Sequence, residues 1–166
     1  MIWLLLTPFF LQALLIFFDE GYYHLKRGLP RFERIGHPLD TLTVITCLLF
    51  SVFVPYSDFA LKAFVALALF SCFFVTKDEF VHKEHCKASE MWLHALLFIN
   101  HPFLLGSLIC LWMHQHHQIS WLEIDQSFIK QFVSVQLILT SLFFCYQVVY
   151  WNFIRQPLED LDVKDQ

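Results

Sequence analysis

The chain has 166 residues and a net charge of −4; 57% of its residues are hydrophobic and only 16% are charged. Soluble domains are about 45–50% apolar and about 25% charged, so this composition excludes an ordinary soluble domain and predicts an integral membrane protein. The sequence has no basic patch, which argues against nucleic acid as a partner. The placement of polar residues is therefore more informative about function than the net charge.

Five apolar segments alternate with polar ones, and each has about the length that a helix needs to cross a bilayer. They cover residues 2–18, 39–54, 59–76, 91–113 and 128–153. Asp19 and Glu20 follow the first segment where a signal peptide would have its cleavage site, so we expect an uncleaved span. The predicted fold is all-α: residues 1–166 form one transmembrane domain, a bundle of five transmembrane helices.

Two of these helices are predicted to extend beyond the membrane. Helix 1 should continue to about Lys26, before Gly28 and Pro30 stop it. Helix 3 should continue past Thr76 into a polar stretch. Successive spans end on opposite sides of the bilayer, so helices 1 and 3 end on the same side. Both extensions are therefore expected in the cytoplasm.

The distribution of basic residues predicts the orientation. With five spans, residues 19–38, 77–90 and 154–166 share one side, and nine of the 11 Lys and Arg residues belong to it. These nine are Lys26, Arg27, Arg31, Arg34, Lys77, Lys83, Lys87, Arg155 and Lys164. The positive-inside rule then places the N-terminus outside and the C-terminus in the cytoplasm. The expected location is a bacterial inner membrane.

Carboxylates and imidazoles recur at helical spacing on this side of the membrane. At 100° per residue, side chains at i and i+4 lie about 40° apart, so they share one face of a helix. Three helix ends carry such stripes: Glu20 and His24; Asp78, His82 and His85; and Glu90, His94 and His101. Glu79 also forms a Glu-x-x-His step with His82. If the three stripes converge, they form a metal site.

The donor types and their number favour a two-metal centre. Imidazole and carboxylate suit iron, manganese and zinc, and the set exceeds what one tetrahedral zinc needs. The predicted metal ligands are Glu20, His24, Asp78, Glu79, His82, His85, Glu90 and His94. Two metal ions are expected, with iron favoured over zinc and manganese. Glu79 and Glu90 are in addition the predicted catalytic carboxylates.

Two polar residues are placed deeper in the fourth span. His101 lies about 10 Å below His94 along the helix, within the hydrocarbon region. Ionisable groups at that depth are costly and are usually functional. His101 and its neighbour Asn100 are therefore predicted to face the apolar part of a substrate.

Simpler interpretations stand beside this one. Juxtamembrane charges such as Lys83 and Glu84 are typical of a solvated face. Glu33 and His37 also stand at i and i+4, but Gly36 and Pro38 predict a loop there and a loop role for both side chains. Arg31 and Arg34 are expected to contact lipid headgroups. His114, His116 and His117 are expected to form an exposed surface tract on the opposite side of the membrane.

Residues 77–101 resemble two kinds of iron protein in part. His82-x-x-His85 is similar to a short histidine box of the membrane desaturases and hydroxylases. Glu79-x-x-His82 resembles the local unit of di-iron carboxylate bundles, which carry two such units where this chain has one. No box with adjacent histidines follows on the same side of the membrane. The resemblance therefore implies a metal centre and assigns no family.

The leading hypothesis is a membrane metalloenzyme whose di-iron centre oxidises a lipid-type substrate at the cytoplasmic side. Its expected partners are a membrane lipid or lipid-soluble substrate and an electron-donor protein. One alternative is a zinc-dependent lipid hydrolase, in which Glu79 or Glu90 acts as general base. Another is a metal-handling or interaction protein of the membrane that is not an enzyme. The sequence leaves the oligomeric state open.

Overall fold

The computed structural model describes residues 2–78 and 87–155. In this part of the chain, five helices are long and apolar enough to cross a membrane. They are α1 (Ile2–Arg27), α2 (Arg31–Phe53), α3 (Asp58–Lys77), α4 (Ala88–Gln115) and α5 (Gln126–Ile154). No strand occurs among the described residues. The predicted all-α bundle of five membrane helices is thereby confirmed.

Local chemistry explains where several of these helices begin and end. Gly28, at φ 78°, takes a conformation that suits glycine, and Pro30 is extended at the start of α2. The Ser57 side chain accepts a hydrogen bond from the Ala60 backbone at 3.0 Å and so caps α3. Asp125 caps α5 in the same way through the Ser127 backbone, at 3.1 Å.

Helix α1 changes its winding at the polar residues that follow its apolar segment. It is an α-helix over Ile2–Phe18 and a π-helix over Asp19–His24. A π turn bonds residue i to residue i+5, so it widens the helix and changes which residues share a face. A second π segment, Tyr150–Ile154, ends α5. Both π segments lie at the same end of the bundle, which we call the polar end.

Helix α2 begins at Arg31, eight residues before the apolar segment that the sequence predicted. Gly36 and Pro38 are buried inside it, so the predicted loop at Glu33 and His37 is wrong. A proline inside a helix costs about 3 kcal/mol. Here the cost falls on one position of a 23-residue helix, and packing against the other helices offsets it.

The helices pack in a fixed order around one core. Helix α1 lies mainly against α4, α2 mainly against α5, and α3 contacts both α2 and α4. The end opposite the polar end, which we call the far end, is filled by fully buried apolar side chains, including Phe64, Leu108 and Trp112. Large apolar side chains such as Phe59 and Phe73 are more than three-quarters exposed, as a lipid-facing surface requires.

Polar contacts between helices fix their register. The Asp40 carboxylate on α2 accepts from the Lys77 ammonium, with both oxygens within 2.7 Å. Thr41 donates to the Gln147 side chain of α5 at 2.7 Å. Helices have little hydrophobic reason to associate inside a membrane, and interhelical hydrogen bonds contribute on average about 0.6 kcal/mol each. Such bonds therefore select the helix arrangement more than they supply its stability.

Candidate metal centre

Four buried side chains from α1 and α4 meet at the polar end. They are Asp19, His24, Glu90 and His94, and one ligand atom of each lies within 4.8 Å of the others. The two oxygens of Asp19 reach different imidazoles: Oδ1 is 2.9 Å from His94 Nε2, and Oδ2 is 3.3 Å from His24 Nε2. Glu90 and His94 stand at i and i+4 on α4, so they present one face towards α1. This group of four could hold a metal ion, and we call it the principal group.

The π turn of α1 explains how Asp19 joins His24. In an α-helix, residues five apart point in different directions, about 140° apart. The i to i+5 bonding of Asp19–His24 brings the two ends of this segment together on the side that faces α4. Such π segments often occur at functional sites. The π winding therefore places Asp19 among the candidate ligands, which the periodicity of a regular α-helix does not predict.

Glu20 supports the principal group from behind. Its Oε2 accepts from His24 Nδ1 at 3.0 Å, and its Oε1 accepts a hydrogen bond from the indole of Trp151 on α5. All three side chains are buried. A carboxylate bonded to one nitrogen of an imidazole fixes the ring and directs its other nitrogen towards a metal. Glu20 is thus placed to orient His24.

A second group adjoins the principal one and shares His24 with it. Ligand atoms of His24, Glu33 and His37 lie within 4.8 Å of one another, and Glu33 is completely buried. The rings of His24 and His37 have centroids 4.9 Å apart. Helix α2 therefore brings a third carboxylate–imidazole pair to the polar end, which the loop prediction had set aside.

Arg27 joins the two groups electrostatically. Its Nη2 donates to Glu33 at 2.7 Å and to Glu90 at 3.0 Å, and its Nε donates to Glu90 at 3.2 Å. The Arg27 side chain is 19% exposed, whereas both carboxylates are buried. A planar guanidinium suits such double pairing better than an ammonium does. Arg27 thus holds α1, α2 and α4 together at the polar end.

Among the buried charged side chains at this end of the described chain, carboxylates outnumber guanidiniums. Asp19, Glu20, Glu33 and Glu90 are four buried carboxylates, and Arg27 and Arg34 are the buried or largely buried guanidiniums beside them in the sequence. If all four carboxylates are ionised and the imidazoles are neutral, the two guanidiniums leave two negative charges of this set without compensation. A buried charge is costly unless it is compensated. One divalent cation, or protonation of two imidazoles, would restore neutrality.

A buried nitrogen at the centre of the cluster has no hydrogen bond. His24 Nε2 makes none among the described residues, although it lies 3.3 Å from Asp19 Oδ2. His24 has no exposed surface. Buried polar atoms in proteins nearly always have a partner, and an exception requires an explanation such as an ion. The second nitrogen of the ring is bound to Glu20, so Nε2 is the nitrogen that would face a metal.

The structure brings together only some of the ligands that the sequence predicted. Those that meet are Glu20, His24, Glu90 and His94. Asp78 ends a 3-10 turn, Val75–Asp78, after α3. Glu79, His82 and His85 lie outside the described residues, and so does the predicted continuation of helix 3. Their roles stay predictions.

Sequence reasoning missed four residues of this end: Asp19, Arg27, Glu33 and His37. The signal for one pair was present, because Glu33 and His37 have the same i, i+4 spacing as Glu20 and His24. The predicted headgroup contact of Arg34 also fails to describe that residue, since it is 8% exposed. The i, i+4 spacing shared by three carboxylate–imidazole pairs predicted the cluster better than Gly36 and Pro38 predicted a loop.

A cavity of about 590 Å³ extends from the cluster towards the middle of the bundle. Asp19, Glu20 and His94 line one end of it, and His101 lies further along its wall. His101 Nε2 is 2.9 Å from the Ser71 hydroxyl on α3, which fixes the ring. Most of the remaining wall is apolar.

The second deep residue has a different environment. Asn100 is buried and donates to the Pro8 carbonyl at 2.8 Å and to Gln12 Oε1 at 2.9 Å, both on α1. It therefore ties α4 to α1 and is not part of the cavity wall. Its predicted substrate-facing role stays a prediction.

No protein-family model, curated protein or solved structure matches this chain. The fold and the polar end therefore have to define the class of protein. It is a membrane-spanning helical bundle with a buried cluster of His, Asp and Glu that could bind metal.

Proposed function

We propose that this protein is a membrane metalloenzyme, in which a two-metal centre at the cytoplasmic end oxidises a lipid-type substrate. The observation that carries the proposal is the principal group, in which Asp19, His24, Glu90 and His94 converge and His24 Nε2 has no hydrogen bond. Buried ionisable groups at membrane depth are retained for function. The polar end is proposed to face the cytoplasm because nine of the 11 basic residues belong to that side.

The ligand inventory favours two ions over one. The principal group supplies two carboxylates and two imidazoles, and the second group adds Glu33 and His37. Helical bundles that hold two metals use carboxylates and imidazoles from several helices in this way. Asp78, Glu79, His82 and His85 are proposed to complete the set from the chain after α3. Iron is the proposed metal because hard carboxylates and borderline imidazoles suit it and no cysteine is among the ligands of the two groups that the described residues form.

Such a centre would supply dioxygen activation. For a hydroxylation, the substrate C–H bond and an electron-donor protein each provide two electrons to dioxygen. One oxygen atom enters the substrate as a hydroxyl group, and the other leaves as water after two protons are taken up. Glu90, and Glu79 outside the described residues, are the proposed carriers of those protons. The cavity below the cluster would hold the apolar part of the substrate against His101.

One observation favours a smaller metal count. Arg27 already engages Glu33 and Glu90, so fewer carboxylate oxygens are free to bridge two ions. Three side chains of the principal group, Asp19, His24 and His94, match the three protein ligands of a catalytic zinc, which keeps its fourth position for water. A zinc ion there, with Glu90 or Glu79 as general base, would make the protein a lipid hydrolase. A protein that binds metal without turnover is the remaining alternative.

The deciding experiment is metal content per chain, measured by inductively coupled plasma mass spectrometry on detergent-purified protein. Wild type is compared with His94→Ala, and with His117→Ala as a control at the far end, where His117 is exposed. About two irons per chain, lost in His94→Ala and kept in His117→Ala, would support the proposal. One zinc per chain would replace it with the hydrolase. A wild type without metal after supplementation with iron and zinc would overturn both.

A further inference from the structure

The cavity reaches the outer surface of the bundle between α1 and α5. Phe10 and Phe17 of α1 and Leu139 of α5 line the cavity, yet each is more than half exposed. The cavity wall and the lipid-facing surface are therefore continuous at these residues. An opening at this depth faces hydrocarbon and not water.

Contacts between α1 and α5 frame this opening at both ends. Towards the far end, the Phe132 ring lies 5.2 Å from that of Phe9 and 6.3 Å from that of Phe10. At the polar end, the Trp151 indole donates to Glu20. Phe10 and Glu20 are ten residues apart on α1, which corresponds to about 15 Å along the helix. The opening is thus a long slot that runs roughly parallel to the lipid chains.

The two ends of the slot differ in chemistry. Towards the far end its wall is aromatic and aliphatic, whereas Asp19, Glu20 and Asp40 line the polar end. No lysine or arginine is among the residues that line it, and Asp40 is already paired with Lys77. An anionic headgroup would therefore meet the carboxylates of Asp19 and Glu20, with no lysine or arginine among the lining residues to offset its charge. An uncharged polar group could instead accept or donate hydrogen bonds there.

We infer that the slot between α1 and α5 admits one unbranched hydrocarbon chain with an uncharged polar end, such as a long-chain alcohol, directly from the bilayer. The uncharged polar group of this ligand lies level with Asp19 and Glu20, and its hydrocarbon chain runs towards Phe132. A volume of about 590 Å³ falls within the range of single small-ligand sites. The inference deepens the proposed function and rests on it, since it specifies the substrate class of the same site.

Photoaffinity labelling tests the inference on the full chain in lipid nanodiscs. The probe is hexadecanol with a diazirine in its chain, and labelled peptides are mapped by mass spectrometry. Labelling should concentrate on α1 and α5 around Ala13 and Leu139. Ala13→Trp, which narrows the slot, should remove most of it. Ala66→Trp on α3 is the matched control, because both alanines are exposed on membrane helices and only Ala13 lines the cavity.

Three results would overturn the inference. The first is labelling spread evenly over the lipid-facing surface. The second is equal loss of labelling in Ala13→Trp and Ala66→Trp. The third is stronger labelling by the matching diazirine fatty acid, whose end is anionic, than by the alcohol.

Repeating the labelling after metal chelation separates this inference from the proposed function. Slot labelling in a protein that binds no metal would uphold the inference and sink the metalloenzyme. Metal binding without slot labelling would overturn the inference and leave the proposed metalloenzyme standing.

Discussion

Asp19 on α1 and His94 on α4 are 75 residues apart in the sequence, and their Oδ1 and Nε2 atoms are 2.9 Å apart in the structure. Both side chains are buried, and the other oxygen of Asp19 faces His24. A single carboxylate thus connects the imidazoles of two helices. This connection is the geometric centre of the candidate metal site, and it can be tested by removing the charge without changing the shape.

Asp19→Asn should lower metal affinity by at least about tenfold, because a neutral amide is a weaker ligand and orients imidazoles less well than a carboxylate. Asp58→Asn, in the first turn of α3 at the far end, is the control with the same chemical change. Competition with a fluorescent chelator measures the affinity. Equal affinities in Asp19→Asn and wild type would remove Asp19 from the site.

Arg27→Met should destabilise the bundle by about 3 kcal/mol, since it leaves two buried carboxylates without their shared guanidinium. The unfolding temperature in detergent is the measurement, with Arg31→Met as control because Arg31 is exposed. Added divalent metal should restore part of the loss by compensating the same charge. If Arg27→Met and Arg31→Met unfold at the same temperature, the double ion pair does not stabilise this end.

His37→Ala distinguishes one metal from two. If the second group holds its own ion, the variant should keep about one metal per chain while wild type has about two. His116→Ala, at the far end, should keep the wild-type value. Complete loss of metal in His37→Ala would instead show that both groups serve one ion, and an unchanged count would exclude His37 from binding.

Trp151→Phe removes the indole that donates to Glu20 and keeps an aromatic ring. Hydrogen bonds to charged groups contribute about 1.5–3 kcal/mol, so the unfolding temperature should fall measurably. Trp3→Phe is the control, because Trp3 is 71% exposed and lies at the other end of α1. Since Glu20 also orients His24, metal affinity should fall with stability. A stability loss with unchanged affinity would restrict Glu20 to a structural role.

The sequence by itself determined the membrane class and the number of helices. Apolar segments of bilayer length have few alternatives to helices, because a lipid-exposed backbone must satisfy its own hydrogen bonds. It also determined the pairs Glu20–His24 and Glu90–His94, since i and i+4 share a face of an α-helix. The Glu20–His24 contact, at 3.0 Å, persists within the π segment. These properties are local, so they can be derived without knowing how the helices pack.

Only the tertiary structure decided which polar residues meet. Asp19 joins the cluster because α1 winds as a π-helix there, which the 3.6-residue periodicity does not predict. Glu33 and His37 join it because packing keeps α2 helical through Gly36 and Pro38. The Arg27 pairs and the slot between α1 and α5 depend on distances between helices. Those distances are set by side chains far apart in the sequence, so no local pattern contains them.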